Sequence, residues 1–264
     1  MITILTPSFP PISEFGGPNK SLAGVCNLFQ KANIKYRVIA RSKRNLNESD
    51  IASNDNPNIK FKKSIRVGEL IQEFKEAEVI WLNTLYNVSF SMVPLIALLF
   101  TPKRTVLISP RGELLNGAMN LKKYIYLQFF KLGLILAGHK YYVHYANPFE
   151  AEGSYGIFKK YPKLIFNNVI SGAISDREHR VKEDKNFVLG YFGRVSPIKN
   201  VEYLMELLPA LPENVSLEIH GSIIESRYVN GLKQLVEKFD LSSRVTFYDS
   251  YNSASFAQRV EGVD

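Results

Sequence analysis

Short runs of β-branched and aromatic residues alternate with segments of helical spacing along most of this 264-residue chain. Residues 2–6 are an apolar run that ends at Pro7, residues 22–32 space Leu22, Val25, Cys26, Leu28 and Phe29 as a helix does, and residues 36–40 are strand-like again. The order then repeats: strand 59–61, helix 67–77, strand 79–82, helix 91–100, strand 105–109, a long helix over about 117–137, strand 141–145, a helix from about Pro148 and strand 164–166. Such alternation predicts an α/β protein whose parallel sheet is covered on both faces.

The pattern lapses into polar, charged residues between Val169 and Lys185, which have the composition of a linker. It restarts as strand 187–192, helix 201–208, strand 215–220, helix 227–239, strand 245–248 and helix 254–260. The predicted organisation is a first domain over 1–170, a linker over 171–185 and a second domain over 186–264. A doubly wound domain usually has about five or six strands, and the second half shows three, so its core is expected to be incomplete. An incomplete sheet exposes edge and face, which predicts lowered stability or self-association.

Composition removes several classes. Hydrophobic residues at 45% and charged residues at 22% match a globular average rather than a disordered or fibrous chain. One cysteine, Cys26, excludes an internal disulfide framework and points to a reducing compartment. The start MITILTPSFPP has no basic lead and is interrupted by proline, so it does not read as a signal peptide. The most apolar stretch, 92–100, is far shorter than the roughly 18 residues that cross a bilayer. A cytoplasmic protein is the resulting expectation. The net charge of +8 attracts any polyanion and chooses none.

Three loops at predicted strand ends carry candidate chemistry. The first, after residues 2–6, contains Gly16 and Gly17, where backbone can approach a phosphate or sugar hydroxyl and a helix starting near Asn19 aims free N–H groups at an anion. Its plainer reading is a strand-to-helix turn capped by Asn19 or Ser21, with Lys20 an electrostatic partner or solvated. It is not the G-x-G-x-x-G fingerprint of nicotinamide binders. The second is Ser109-Pro110-Arg111-Gly112-Glu113, with Arg111 suited to an anion and Glu113 to hydroxyl groups, or else the pair forming a surface ion pair in a turn. The third is Gly193-Arg194-Val195-Ser196-Pro197-Ile198-Lys199-Asn200, where Arg194, Lys199 and a helix start near Asn200 converge on a diphosphate, or two solvated cations flank a proline turn. Gly221 again gives close backbone access at a strand end, and His144 and Glu150 flank another such end. His144 is read as a catalytic or a structural histidine. The four histidines, 139, 144, 179 and 220, have no metal-ligand spacing, and neither a G-x-S-x-G elbow nor a Walker loop is present.

With these residues in view, the chain resembles the retaining, nucleotide-sugar-dependent glycosyltransferases of family 4, which have the two-Rossmann GT-B fold. The segments YFGRVSPIKNVEYLMELLPAL, VSLEIHGS and DLSSRVTFYDS carry the likeness most strongly, with SPRGELLNGAMNLKKYIY, the Glu150 region, Phe166-Asn167-Asn168 and Gly16-Gly17 as further landmarks. The resemblance implies that Arg194 and Lys199 bind the donor diphosphate, that Gly16, Gly17 and Gly221 lie near the donor, and that Arg111, Glu113 and His144 serve the reacting side. It implies a nucleoside diphosphate sugar as donor substrate, a glycan or lipid-linked acceptor, retention of configuration, and neither metal nor other cofactor. Two departures stand out: Asn200 replaces the glycine that commonly follows the lysine, and the chain ends before the family's E-x7-E segment. The latter reads as a C-terminally truncated member, whether fragment, disrupted gene product or natural truncation.

Residues 121–140 interleave Lys122, Lys123 and Lys131 with Tyr124, Tyr126, Phe129 and Phe130. Such a helix either lies on an anionic membrane surface, as a peripheral protein at the inner membrane face, or is a core helix with a solvated basic face. No nucleic-acid motif accompanies the charge. The leading expectation is therefore a glycosyltransferase of surface polysaccharide synthesis. Its rivals are a GT-B nucleotide-sugar epimerase, which turns over its donor without an acceptor, and a non-catalytic remnant or binding module.

Overall fold

The computed structural model describes residues 1–10, 17–42, 56–115, 119–169, 186–222, 226–251 and 253–263. The chain divides into two compact units, Met1–Ile174 and Ser175–Asp264. Gly16 and the linker predicted over 171–185 lie outside the described residues.

In the first unit, β1 (Ile2–Thr6), β2 (Tyr36–Arg41), β3 (Ile59–Lys62), β4 (Val79–Leu82), β5 (Thr105–Ile108), β6 (Lys140–Tyr145) and β7 (Lys163–Ile165) form one sheet in the order β3-β2-β1-β4-β5-β6-β7. Every neighbouring pair is parallel, and β1 sits between β2 and β4 with Ile4 opposite Val38 and Trp81. Helices α1 (Gly17–Lys31), α2 (Val67–Glu76), α3 (Met92–Leu99), α4 (Leu121–Ala137) and α5 (Pro148–Gly153) connect the strands.

Successive strand residues point to opposite faces, and each face has its own core. Ile4, Val38 and Trp81 pack with Leu22 and Cys26 of α1, whereas Leu5, Ile39, Ile80 and Leu82 pack with Leu70, Phe74, Phe130 and Leu134. This double burial explains why the strands read as continuous apolar runs rather than alternating ones. The Cys26 thiol lies inside, where burial pushes its pKa up to about 12 and keeps it protonated. The strand order reverses between β1 and β4, which makes the carboxyl ends of these two strands the topological switch point where ligands of open α/β sheets bind.

Two local expectations change. Helix α1 begins at Gly17, so Asn19 and Ser21 lie within its first turns rather than capping it; their side chains bond to distant residues. Helix α4 begins at Leu121, where Asn120 caps it by accepting from the Lys123 N–H (2.9 Å), and ends at Gly138 in the left-handed conformation. Its solvent side is not a basic face but is mostly apolar, with Leu121, Ile125, Phe129, Leu132 and Leu136 exposed.

The second unit has β8 (Phe187–Phe192), β9 (Val215–His220) and β10 (Val245–Tyr248), parallel in the order β10-β9-β8, with α6 (Glu202–Leu207), α7 (Ser226–Lys238) and α8 (Ser253–Glu261). Val201, Met205, Leu208, Leu217, Ile219, Val229 and Leu232 form its core. The helix predicted over 201–208 is shorter because Pro209 has no N–H to continue the ladder, and the chain tightens into a 3-10 turn over Leu208–Ala210. The last residues of the three strands, Phe192, His220 and Tyr248, are register partners and stack ring on ring at 4.6 and 4.5 Å.

At this end the chain crosses itself closely. The Gly193 N–H donates to the His220 carbonyl (3.0 Å), and a Cβ on Gly221 would lie 1.7 Å from the Gly193 carbonyl oxygen. Only glycine fits there, because the obstacle is backbone rather than a side chain that can turn away. We predict that Gly221→Ala lowers the unfolding free energy by about 3 kcal/mol or more. Gly231→Ala in α7, where an added Cβ meets nothing within 4 Å, should raise it by roughly 0.5–1 kcal/mol. Urea titration of both variants checks the pair, and equal effects would remove the steric argument.

Candidate functional site

The polar residues of the first unit collect at the carboxyl edge of its sheet, beside the switch point. Arg111 follows β5 in the left-handed region (φ 55°), and Gly112 continues it (φ 78°). An arginine held there is strained by about 1 kcal/mol or more, so its neighbours must fix it. Arg111 Nε donates to Asn83 Oδ1 just beyond β4 (2.7 Å), Nη1 donates to Asn168 Oδ1 beyond β7 (2.8 Å), and the guanidinium lies over the Trp81 ring at 5.9 Å. Burial lowers the Arg111 pKa to about 10, against the opposing charge of Glu150, so it remains a cation at neutral pH.

Asn168 also accepts from Ser21 Oγ in α1 (3.1 Å), whose oxygen takes the Val169 N–H (3.1 Å). Ser8, after β1, donates to Asn19 Oδ1 (2.9 Å). The first turns of α1 and the ends of β1, β4, β5 and β7 thus share one hydrogen-bonded edge. Gly17 opens α1 with free space where a Cβ would stand.

Two carboxylates hold this edge from behind. Glu150 is buried; its Oε1 accepts the Gly112 N–H (2.5 Å) and its Oε2 the Ala146 N–H (2.6 Å), so it ties the loop after β5 to the loop after β6. Asn147 caps α5 by accepting from the Glu150 N–H (2.8 Å). Glu113 does not pair with Arg111. It accepts from the Leu85 N–H (2.7 Å) and the Thr84 hydroxyl (3.1 Å), and burial raises its pKa above the usual carboxylate range against the pull of those donors.

His144, in β6, is buried beneath Arg111. Trp81 Nε1–H donates to Ser109 Oγ (2.7 Å), which leaves the Ser109 proton for His144 Nδ1 (2.8 Å) and sets His144 as the neutral Nε2–H tautomer, donating to the Phe166 carbonyl (3.1 Å). Its ring stacks on Phe166 at 3.6 Å. Burial lowers its pKa to about 4, helped by the positive charge of Arg111. The histidine therefore acts on the edge through the 166–168 segment that carries Asn168.

In the second unit, Arg194 and Lys199 are exposed on the loop after β8. The loop does not run into a helix at Asn200. Pro197–Lys199 is a single 3-10 turn, Asn200 closes it in the left-handed region (φ 49°, ψ 48°), and α6 starts at Glu202. That conformation explains the asparagine: glycine is the usual residue where φ is positive, and asparagine tolerates it best among the others. Between the two cations, Val195 and Ser196 are buried, and the Ser196 hydroxyl has no partner among the described residues. Gly221 approaches backbone, the Gly193 carbonyl, at this same end.

Gly17, Arg111, Glu113 and His144 thus gather in the first unit, and Arg194, Lys199 and Gly221 in the second. Asn83 and Trp81 escaped the sequence reading, because single polar or aromatic residues carry no periodic signal, and Ser21 was read there only as a possible helix cap. Asn168 appeared there only within a landmark. Among the described residues, no group of three or more His, Cys, Asp or Glu side chains is arranged to hold a metal ion. No described helix is long and apolar enough to cross a membrane.

No family model and no curated protein matches the chain. Solved structures do. The Anabaena protein Alr3699/HepE in complex with UDP and glucose superposes with a TM-score of 0.66 at 17% identity, over 95% of this chain and 69% of that one. An alpha-glucosyltransferase in complex with UDP-glucose and DNA containing an abasic site gives 0.58 at 11% identity, over 98% and 69%. The lipopolysaccharide outer core galactosyltransferase WaaB, in its apo form, gives 0.55 at 17%, over 98% and 70%. At these identities the likeness is one of fold: a parallel seven-stranded α/β unit and a smaller second sheet, as in GT-B glycosyltransferases.

A pH dependence follows from His144. Its native pKa of about 4 lies below the roughly 6.5 of an unfolded histidine, so between these values the unfolded chain takes up the proton first. The stability that depends on a neutral His144 is present above about pH 6.5 and is lost as pH falls towards 4, by up to about 3 kcal/mol. His144→Gln removes this term, and the difference in unfolding free energy between wild type and variant should narrow across that window. A constant difference in urea titrations would show that the histidine does not titrate as its burial requires.

Proposed function

We propose that the protein is a retaining glycosyltransferase that moves a sugar from a nucleoside diphosphate sugar to a hydroxyl of a glycan or lipid-linked acceptor. The observation that carries this reading is the loop after β8, where two exposed cations, Arg194 and Lys199, flank a buried and unpartnered Ser196 hydroxyl beside the Gly193–Gly221 crossing. As the anomeric carbon–oxygen bond breaks, negative charge grows on the leaving diphosphate, and fixed cations and hydroxyl donors stabilise it most effectively. In this reading Arg194 and Lys199 bind the diphosphate and take that role without a metal. The fold likeness to proteins solved with UDP, glucose and UDP-glucose supports it.

In the first unit we assign the acceptor side to Arg111 with Asn83 and Asn168, whose polar atoms share the carboxyl edge. Glu113 and His144 act as positioning residues: one fixes the 84–85 turn, the other the 166–168 segment. A role in surface polysaccharide synthesis, at the cytoplasmic face of an anionic membrane, fits the apolar and basic character of α4.

Calorimetric titration with UDP and GDP tests the donor site. Arg194→Ala and Lys199→Ala should each weaken nucleotide binding by roughly 1.5–3 kcal/mol if each makes a charge-assisted hydrogen bond. Unchanged affinity in both variants overturns the assignment. Epimer formation from UDP-glucose without acceptor would support an epimerase, and binding with no turnover on any acceptor a binding module.

A further inference from the structure

A cavity of about 400 Å3 lies in the second unit where the start of α6 meets α7, a volume within the range of small-ligand sites. Tyr228, Gly231, Leu232 and Leu235 follow one face of α7 at helical spacing, and Pro197 and Glu202 line the cavity from the other side. Leu232 is buried and Leu235 half-buried, so the part of the wall they form with Pro197 is apolar. A glycine inside a helix is destabilising, and at position 231 no neighbour requires one, since an added Cβ meets nothing within 4 Å. What Gly231 does is leave the space of the cavity open.

The polar groups on the wall are unequally engaged. The Tyr228 hydroxyl donates to Glu202 Oε2 and accepts the Val201 N–H (3.0 Å), so its proton is spent inside the protein. Glu202 is half-buried, and its second oxygen, Oε1, has no partner among the described residues. The exposed Arg227 also lines the cavity and makes no hydrogen bond or ion pair among the described residues. A carboxylate and a guanidinium thus share one cavity without pairing with each other. A half-buried carboxylate oxygen gains from a donor, and a free guanidinium offers a fork of donors to a carboxylate.

We propose that this cavity binds a free α-amino acid with an apolar side chain. Its carboxylate pairs with Arg227, its ammonium donates to Glu202 Oε1, and its side chain lies against Leu232, Leu235 and Pro197 in the space beside Gly231. Chemistry selects the occupant. A phosphate or nucleotide brings negative charge against Glu202, a peptide terminus carries only one of the two charges, and a neutral sugar matches neither. A zwitterion with an apolar body matches both charges and the apolar wall. The proposal goes beyond the transfer reading and does not depend on it.

Calorimetric titration with L-leucine and L-phenylalanine tests this, with three further probes that each lack one part of the ligand. N-acetyl-L-phenylalanine lacks the ammonium, L-phenylalaninamide lacks the carboxylate, and glycine lacks the apolar body. The wild type is expected to bind at least one of the two complete amino acids, and each reduced probe roughly tenfold or more weakly. Arg227→Gln should weaken binding by a similar factor, and Gly231→Leu, which fills the cavity, should abolish it. Lys233→Gln removes the same charge from an exposed position on the same helix and should have a much smaller effect. Far-UV circular dichroism confirms that each variant is folded. Binding of neither amino acid overturns the site. N-acetyl-L-phenylalanine binding as tightly as L-phenylalanine overturns the zwitterion as its ligand, and equal weakening by Arg227→Gln and Lys233→Gln overturns its location. Titration with UDP, read separately, decides the donor assignment.

Discussion

A buried carboxylate organises the first unit. Glu150 accepts amide protons from Gly112 and Ala146, two loops that leave adjacent strands at the same edge. A buried charge is costly unless hydrogen bonds surround it. Here the donors are backbone N–H groups that the end of a parallel sheet leaves unpaired, so one side chain satisfies both needs. With Gly112 held, Arg111 is committed to its left-handed conformation, and its guanidinium is directed to Asn83 and Asn168. Deleting Glu150 would therefore disturb a cation whose hydrogen bonds go to Asn83 and Asn168 rather than to Glu150 itself.

Beneath that edge, the Trp81–Ser109–His144–Phe166 chain does the same work with neutral groups. It spans β4, β5, β6 and the end of β7, and every link has a single sensible proton position. The second unit uses a different device. Its strand-end loops are fixed by backbone against backbone at Gly193 and Gly221 and by three stacked rings, so that Arg194 and Lys199 are left free of packing duties and exposed.

The strands were legible from their apolar and β-branched content: residues 2–6 and 79–82, buried on both faces of the first sheet, and the less buried 187–192, 215–220 and 245–248 all coincide with observed strands. Helix ends were less legible where a capping residue has a second use. Asn19 and Ser21 look like caps, but the helix starts at Gly17 and both reach across to Ser8 and Asn168. Arg111 and Glu113 were visible from their place after a strand, whereas their partners were not. Asn83 lies 28 residues from Arg111 and Asn168 lies 57 away, and only the sheet order brings them together. Asn200, where the resembled pattern has glycine, adopts the left-handed conformation that glycine favours and asparagine tolerates.

Helix α4 shows why a sequence of lysines and aromatics admits two readings. Tyr126 and Phe130 turn inwards, Lys123 places its ammonium over the Tyr86 ring at 4.8 Å, and the residues left facing water are mainly aliphatic. A helix inside a larger core and a helix at a lipid interface are both apolar on two sides, so hydrophobic periodicity alone does not separate them. Charge narrows the choice only at the border: Lys122 adjoins the outward apolar arc on one side, while on the other Gln128 and Ile135 lie between it and the half-buried Lys131, and a face covered by protein also keeps a polar rim.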